Sequence, residues 1–224
     1  MTTAVESAGS ASRSGAVIEL DHPLVGHHLA RLRDVSTPAP EFRLLVQRLA
    51  VLLTYEATKD LAVKPIQVQT PLATTTGQTI GERIALVPIL RAGLGMVDPI
   101  LNLIPEAQVW HLGIYRDEET LQPVEYYSRL PAGRPVDVAL VLDPMLATGG
   151  SALAALGALR NWGVPSIKVL SIIAARDGIA EVEGHFPNVQ FFVGAIDPLL
   201  NAQKYIVPGL GDAGDRTFNT LARE

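Results

Sequence analysis

The run DPMLATGGS closes an apolar stretch, residues 138–142, with a carboxylate, Asp143, and goes on to Thr148, Gly149, Gly150 and Ser151. Paired glycines let backbone N–H groups come close to an anion, and the Thr148 and Ser151 hydroxyls add donors. A helix that starts there aims the positive end of its dipole at the same point. This is chemistry for holding a phosphate. Asp143 at a strand tip suits sugar hydroxyls, or a magnesium ion reached through water. A lone TGGS is more often a tight turn with a Ser or Thr helix cap. No lysine follows the glycines, which excludes a Walker A loop.

A second cluster, YIVPGLGDAGDR, spans residues 205–216. Gly209, Gly211 and Gly214 fit G-x-G-x-x-G, but a dinucleotide fingerprint must open a helix inside a βαβ unit of about 30 residues. Too little chain follows Gly214 for that. A flat base with alternating donors and acceptors could instead be read by backbone groups that glycines allow to approach. The plain alternative is a glycine-rich terminal loop with no role. Arg91, in VPILRAGLGM, and Arg116, in IYRDEETLQPV, follow predicted strands. Taken singly, each is more often a surface residue or ion-pair partner.

These residues need a frame. Apolar runs at residues 84–90, 108–115, 138–142, 167–173 and 189–193 read as strands, and helical patterns lie at 95–103, 150–162 and 178–186. A further helix is expected over 40–61, where Phe42, Leu45, Val46, Leu49, Leu52 and Leu53 recur at three- and four-residue spacing. A short extended stretch at 67–72 precedes TTTGQ, which reads as a polar turn. Strand–helix alternation implies right-handed crossovers and a mostly parallel sheet, with ligands at the carboxyl ends of its strands. Gly163 and Pro165 stop the helix that begins at Gly150. Residues 117–135 are polar and too long for a simple connector, which suggests a functional flap or an oligomerisation arm. The expected organisation is a flexible tail over 1–20 and a single domain over 21–224.

A mean hydropathy of +0.24 favours strands buried on both faces. The first residues lack the apolar and basic regions of a signal peptide, and no run is long enough to span a bilayer. With no cysteine there is no thiolate nucleophile or thiolate metal site, and a cytoplasmic setting fits. A net charge of −5 argues against a nucleic-acid binder. His22, His27, His28, His111 and His185 lack paired helical spacing for a metal, Asp117-Glu118-Glu119 is a solvated turn, and Trp110 and Trp162 read as packing residues.

DPMLATGGS resembles, nearly letter for letter, the phosphoribosyl-pyrophosphate (PRPP) loop of uracil phosphoribosyltransferases. YIVPGLGDAGDR resembles the uracil loop of the same family, and VPILRAGLGM and IYRDEETLQPV also match. The resemblance runs from about Asp21 to Arg216. It implies a type I phosphoribosyltransferase-like α/β core of about five mostly parallel strands flanked by helices, with a small hood and an extended arm. It implies PRPP binding by Arg91, Arg116, Asp143, Pro144, Met145, Leu146, Ala147, Thr148, Gly149, Gly150, Ser151 and Asp212. Uracil would be met by Tyr205, Ile206, Gly211, Asp212 and Ala213. Many type I members carry two adjacent acids at the start of the PRPP loop, whereas here Leu142 and Pro144 flank Asp143. Magnesium is therefore expected to ride mainly on PRPP, near Asp143 at most.

The implied reaction is uracil plus PRPP giving UMP and pyrophosphate, with a homo-oligomer, no nucleic acid and no membrane as the expected partners. Three rivals remain at this stage: a relative that uses a purine or orotate, an RNA-binding regulator on the same fold, and a binding-only protein. The first should have a different base loop, the second a basic patch, and the third an eroded site.

Overall fold

Strands in which every side chain is apolar, such as those ending at Pro88 and Leu142, must lie between two covering layers. They do so here. The computed structural model describes residues 15–116, 123–128, 133 and 135–220. The chain opens with strand β1 (Val17–Glu19), helices α1 (Pro23–Arg33) and α2 (Ala39–Ala57), the hairpin β2 (Val63–Gln69) and β3 (Thr74–Ile80), and strand β4 (Ile84–Pro88). A 3₁₀ turn (Ala92–Met96) leads into α3 (Val97–Leu103) and β5 (Gln108–Val109), followed by the hairpin β6 (Leu112–Arg116) and β7 (Pro123–Ser128). Next come β8 (Val138–Leu142), β9 (Met145–Leu146), α4 (Gly150–Trp162), β10 (Ser166–Ala175), α5 (Arg176–His185) and β11 (Gln190–Asp197). The chain finishes with β12 (Leu199–Leu200), β13 (Ile206–Val207) and α6 (Ala213–Phe218).

Among the described residues the main sheet has seven strands, ordered β1-β11-β10-β8-β4-β5 with β9 joined to β10, and these pairings are parallel. Alternate residues serve opposite faces. Leu86, Leu140, Leu142 and Leu170 pack with Phe42, Leu49 and Leu53 of α2. Val87, Val141, Val169 and Phe191 pack with Leu156, Leu159 and Val182 of α4 and α5. The expected α/β core is present, and β1, β5 and β9 add short strands to it. No helix among the described residues is long and apolar enough to cross a membrane.

Four expectations need correction. Residues 17–19, inside the expected tail, form β1 along the open edge of β11, too short a strand for a periodic signal; residues 1–14 lie outside the described residues. Helix α1 went unread because Gly26, His27 and His28 dilute its apolar stripe, yet Val25, Leu29 and Leu32 are buried at helical spacing. TTTGQ is strand, not turn: its β-branched threonines suit an extended chain. The reversal comes earlier, where the Thr70 hydroxyl accepts from the N–H groups of Leu72 and Ala73. The single strand expected over 108–115 is two, because the chain leaves β4 after Trp110 and starts the β6–β7 hairpin. Trp110 and Trp162 do pack together, edge to face at 6.1 Å. The acidic turn at 117–119 lies outside the described residues.

Lys168 on β10 is fully buried and donates to the Ala57 carbonyl at 2.6 Å and to Asp60, tying the end of α2 to the sheet. It sits toward the start of β10, away from the carboxyl ends. Lys168→Met removes the donor to Ala57 without stranding a buried acid, since Asp60 is 39% exposed. The expected loss is about 2 kcal/mol, read as a Tm lower by about 5 °C, with kcat/KM unchanged.

Candidate active site

The carboxyl edge of the sheet collects the predicted residues. As the chain leaves β8 it stays bonded to β10: Asp143 N–H donates to the Leu170 carbonyl (3.2 Å), Ile173 N–H donates to the Pro144 carbonyl (3.0 Å), and β9 continues the ladder. Asp143, Pro144, Met145 and Leu146 are therefore held as an extension of the sheet and not as a free loop. Ala147 and Thr148 turn the chain. Gly149, at φ +84°, then opens α4. The first-turn N–H groups that a helix cannot satisfy itself face a hollow of about 160 Å³ lined by Asp143 and residues 145–152, Thr148, Gly150 and Ser151 among them.

Behind this loop stands α5. A Cβ on Gly178 would fall 2.1 Å from the Ala147 carbonyl oxygen, and one on Gly149 would fall 2.9 Å from the Gly178 carbonyl oxygen. The two backbones touch without a side chain between them. Asp143 is half-buried by surface, but protein fills most of the space round its carboxyl, and this burial pushes its pKa up to about 7. One Met145 N–H, donating at 3.3 Å, favours the anion and lowers it only in part.

Arg91 follows β4, the neighbour of β8. Ile89 N–H donates to the Leu142 carbonyl (3.0 Å), which places the Arg91 turn beside Asp143. The Arg91 guanidinium meets Asp215 of α6 at 2.9 Å. That pair joins the Arg91 turn to the C-terminal loop. Within that loop Ile206 and Ala213 are buried, while Tyr205 is half exposed. Gly211 has φ +79°, and the Asp212 carboxylate caps α6 by accepting from Asp215 N–H at 2.8 Å. Arg116 ends β6 opposite Pro123, in a hairpin that packs beside α4. Residues 117–122, the centre of the expected arm, lie outside the described residues.

Several residues at this edge escaped the reading of the sequence. Arg216 donates to the carbonyls of Leu32 (2.8 Å), Leu210 (2.7 Å) and Asp34 (2.6 Å), and its guanidinium stacks 4.4 Å over Phe42. Arg33 bonds Asp197 at the end of β11. Gly178 carried no signal at all. Asp197 carried one: Ile196-Asp197-Pro198 repeats the pattern of Leu142-Asp143-Pro144, an apolar strand that ends in Asp-Pro. Size does not pick out the site. A hollow of about 530 Å³ lined by Arg43, Leu94, Asp98, His111, Thr217 and Phe218 is larger, but it has no loop of backbone donors.

A parallel sheet with a glycine-opened helix after one strand, an arginine turn after its neighbour and a glycine-rich C-terminal loop joined to that turn fits the plan of a type I phosphoribosyltransferase. The family model described as uracil phosphoribosyltransferase matches residues 19–220. The uracil phosphoribosyltransferase of Roseiflexus castenholzii is 58% identical over 199 residues, covering 89% of this chain and 96% of that one. That of Bacillus licheniformis is 51% identical over 207 residues, covering 92% and 99%. The solved structure of the AQ2163 protein from Aquifex aeolicus superposes with a TM-score of 0.88 at 39% identity, covering 93% of this chain and all of that one. The chain belongs to the uracil phosphoribosyltransferase family. Its reaction is a pentosyl transfer that converts uracil and PRPP to UMP and pyrophosphate, the salvage of a free pyrimidine base.

Proposed function

We propose that this transfer is divided among three loops of the carboxyl edge. Residues 143–151 hold the phosphoribosyl end of PRPP, with the 5′-phosphate on the N-terminus of α4 and the ribose hydroxyls on Asp143. Arg91 and Arg116 carry the charge that develops on the departing pyrophosphate. Residues 205–213 present uracil, so that N1 attacks the anomeric carbon as the C–O bond to pyrophosphate breaks. Catalysis then consists of positioning and charge stabilisation. The observation that carries this reading is the continuous ladder from β8 through β9, which fixes Asp143 and the α4 N-terminus round one hollow.

Among the described residues no three His, Asp or Glu side chains gather as a cation cage. Asp143 is a single carboxylate and does not by itself fit a protein-held magnesium ion; Mg²⁺ would enter with PRPP and would supply positive charge to the leaving group. A cytoplasmic homo-oligomer acting on these two small molecules is part of the same proposal, supported by the absence of cysteine and by the arm beside α4.

The Arg91–Asp215 pair is largely exposed on the arginine side, and such pairs contribute about 0–1 kcal/mol. Exchanging Asp215 for pyrophosphate therefore costs little. Arg91→Ala should lower kcat/KM for PRPP by roughly a hundredfold and leave Tm within about 2 °C. The test of the whole reading is UMP formation by the purified protein with Mg²⁺ and PRPP, offered uracil, cytosine, orotate and hypoxanthine in parallel. Product from uracil alone, with the expected loss in Arg91→Ala, supports it. Equal turnover of a second base sinks the assignment of residues 205–213.

A further inference from the structure

Arg33 is the last residue of α1 and Asp197 the last of β11. The guanidinium grips the carboxylate at two points, each 2.7 Å long. Both partners then turn to one residue: Asp197 accepts from Gly209 N–H at 3.0 Å, and Arg33 donates to the Gly209 carbonyl at 2.8 Å. A single ion pair thus holds both backbone groups of Gly209. Gly209 itself sits at φ +63°, where a Cβ would lie 2.1 Å from the Ile206 carbonyl oxygen. The next carbonyl, that of Leu210, is taken by Arg216. Gly211 follows at once.

We propose that Arg33 and Asp197 are positioning residues for uracil: they fix the register in which residues 211–213 present their backbone to the base, without touching it. This rests on the reading of residues 205–213 as the base loop. Two facts favour positioning over simple stapling. Asp197 is only 4% exposed, and a desolvated ion pair is seldom more stabilising than apolar residues of similar size, so stability alone does not account for it. The PRPP loop is anchored elsewhere, on β10 through β9, so the two loops can be disturbed separately.

The test uses the full chain and the double variant Arg33→Met/Asp197→Leu, which strands no buried charge, together with the milder Arg33→Lys, whose ammonium cannot form the fork. The measurements are the KM for uracil at saturating PRPP, the Kd for PRPP by calorimetry without base, and Tm. The double variant should lose a few degrees of Tm, because the Gly209 N–H and C=O lose their partners, and bind PRPP within about twofold, while its KM for uracil rises roughly tenfold or more as the loop is no longer held. Arg33→Lys should show a smaller rise of the same kind. A lower Tm with a KM for uracil equal to that of the parent would reduce the pair to a structural staple. Loss of PRPP affinity in step with the KM would do the same. Gly211→Val runs alongside: if it leaves the KM unchanged, the base-loop reading fails and takes the proposal with it. If it raises the KM while both pair variants do not, only the positioning role fails.

Discussion

Replacing Gly178 by alanine will lower kcat/KM for PRPP at least about a hundredfold, although Gly178 lies on α5 and outside every motif in the chain. The added Cβ would sit 2.1 Å from the Ala147 carbonyl oxygen, and both it and its neighbour are backbone, with no flexible side chain to give way. Relief requires the loop or the first turn of α5 to move by about 1 Å, and displacements of that size cost on the order of 100-fold in rate. Stability will respond less. Overpacking costs about 1–3 kcal/mol, and alanine regains about 1 kcal/mol over glycine inside a helix. The two partly cancel, so the expected signature is a large loss of PRPP affinity with a modest fall in Tm. Turnover within threefold of the parent would show that α5 does not set the loop.

The second large effect is in pH. Burial lifts Asp143 from the ordinary 3.8 to about 7. Between those values the folded chain keeps a proton that the unfolded chain has released, so the contribution of this group to stability falls as pH rises from about 4 to about 7. Ligand binding runs the other way. With the ribose hydroxyls on Asp143 as proposed, they donate to the carboxylate form, so PRPP draws a proton off Asp143 below pH 7. The kcat/KM for PRPP should then drop about tenfold per pH unit as pH falls through the upper sixes. The phosphates of PRPP also titrate near about 6, and the comparison that isolates Asp143 is therefore with Asp143→Asn. That variant should lose this part of the profile and show a lower plateau. Parallel profiles for the two proteins would mean that Asp143 is not the group that titrates.

The contrast between what the sequence told and what it hid has a physical cause. Strand β8 and helix α4 were read with their observed limits, because an unbroken apolar run, a glycine-rich start and a Gly-x-Pro stop are all local signals. The family comparisons agree with the resemblance carried by the motifs. β1 and α1 were lost because a three-residue edge strand and a diluted helix have no clear period.

The sequence by itself determined the class of fold, the family, and the strand, glycine-rich turn and helix of residues 138–162. Tertiary structure alone decided what holds the loops in register. Arg33 lies 164 residues from Asp197 and 176 from Gly209. Gly178 meets Ala147 across a helix–loop contact that needs the absence of a side chain. Periodicity and capping are properties of neighbours in the chain, whereas these contacts exist only after the sheet has brought the carboxyl ends of β4, β8, β10 and β11 side by side.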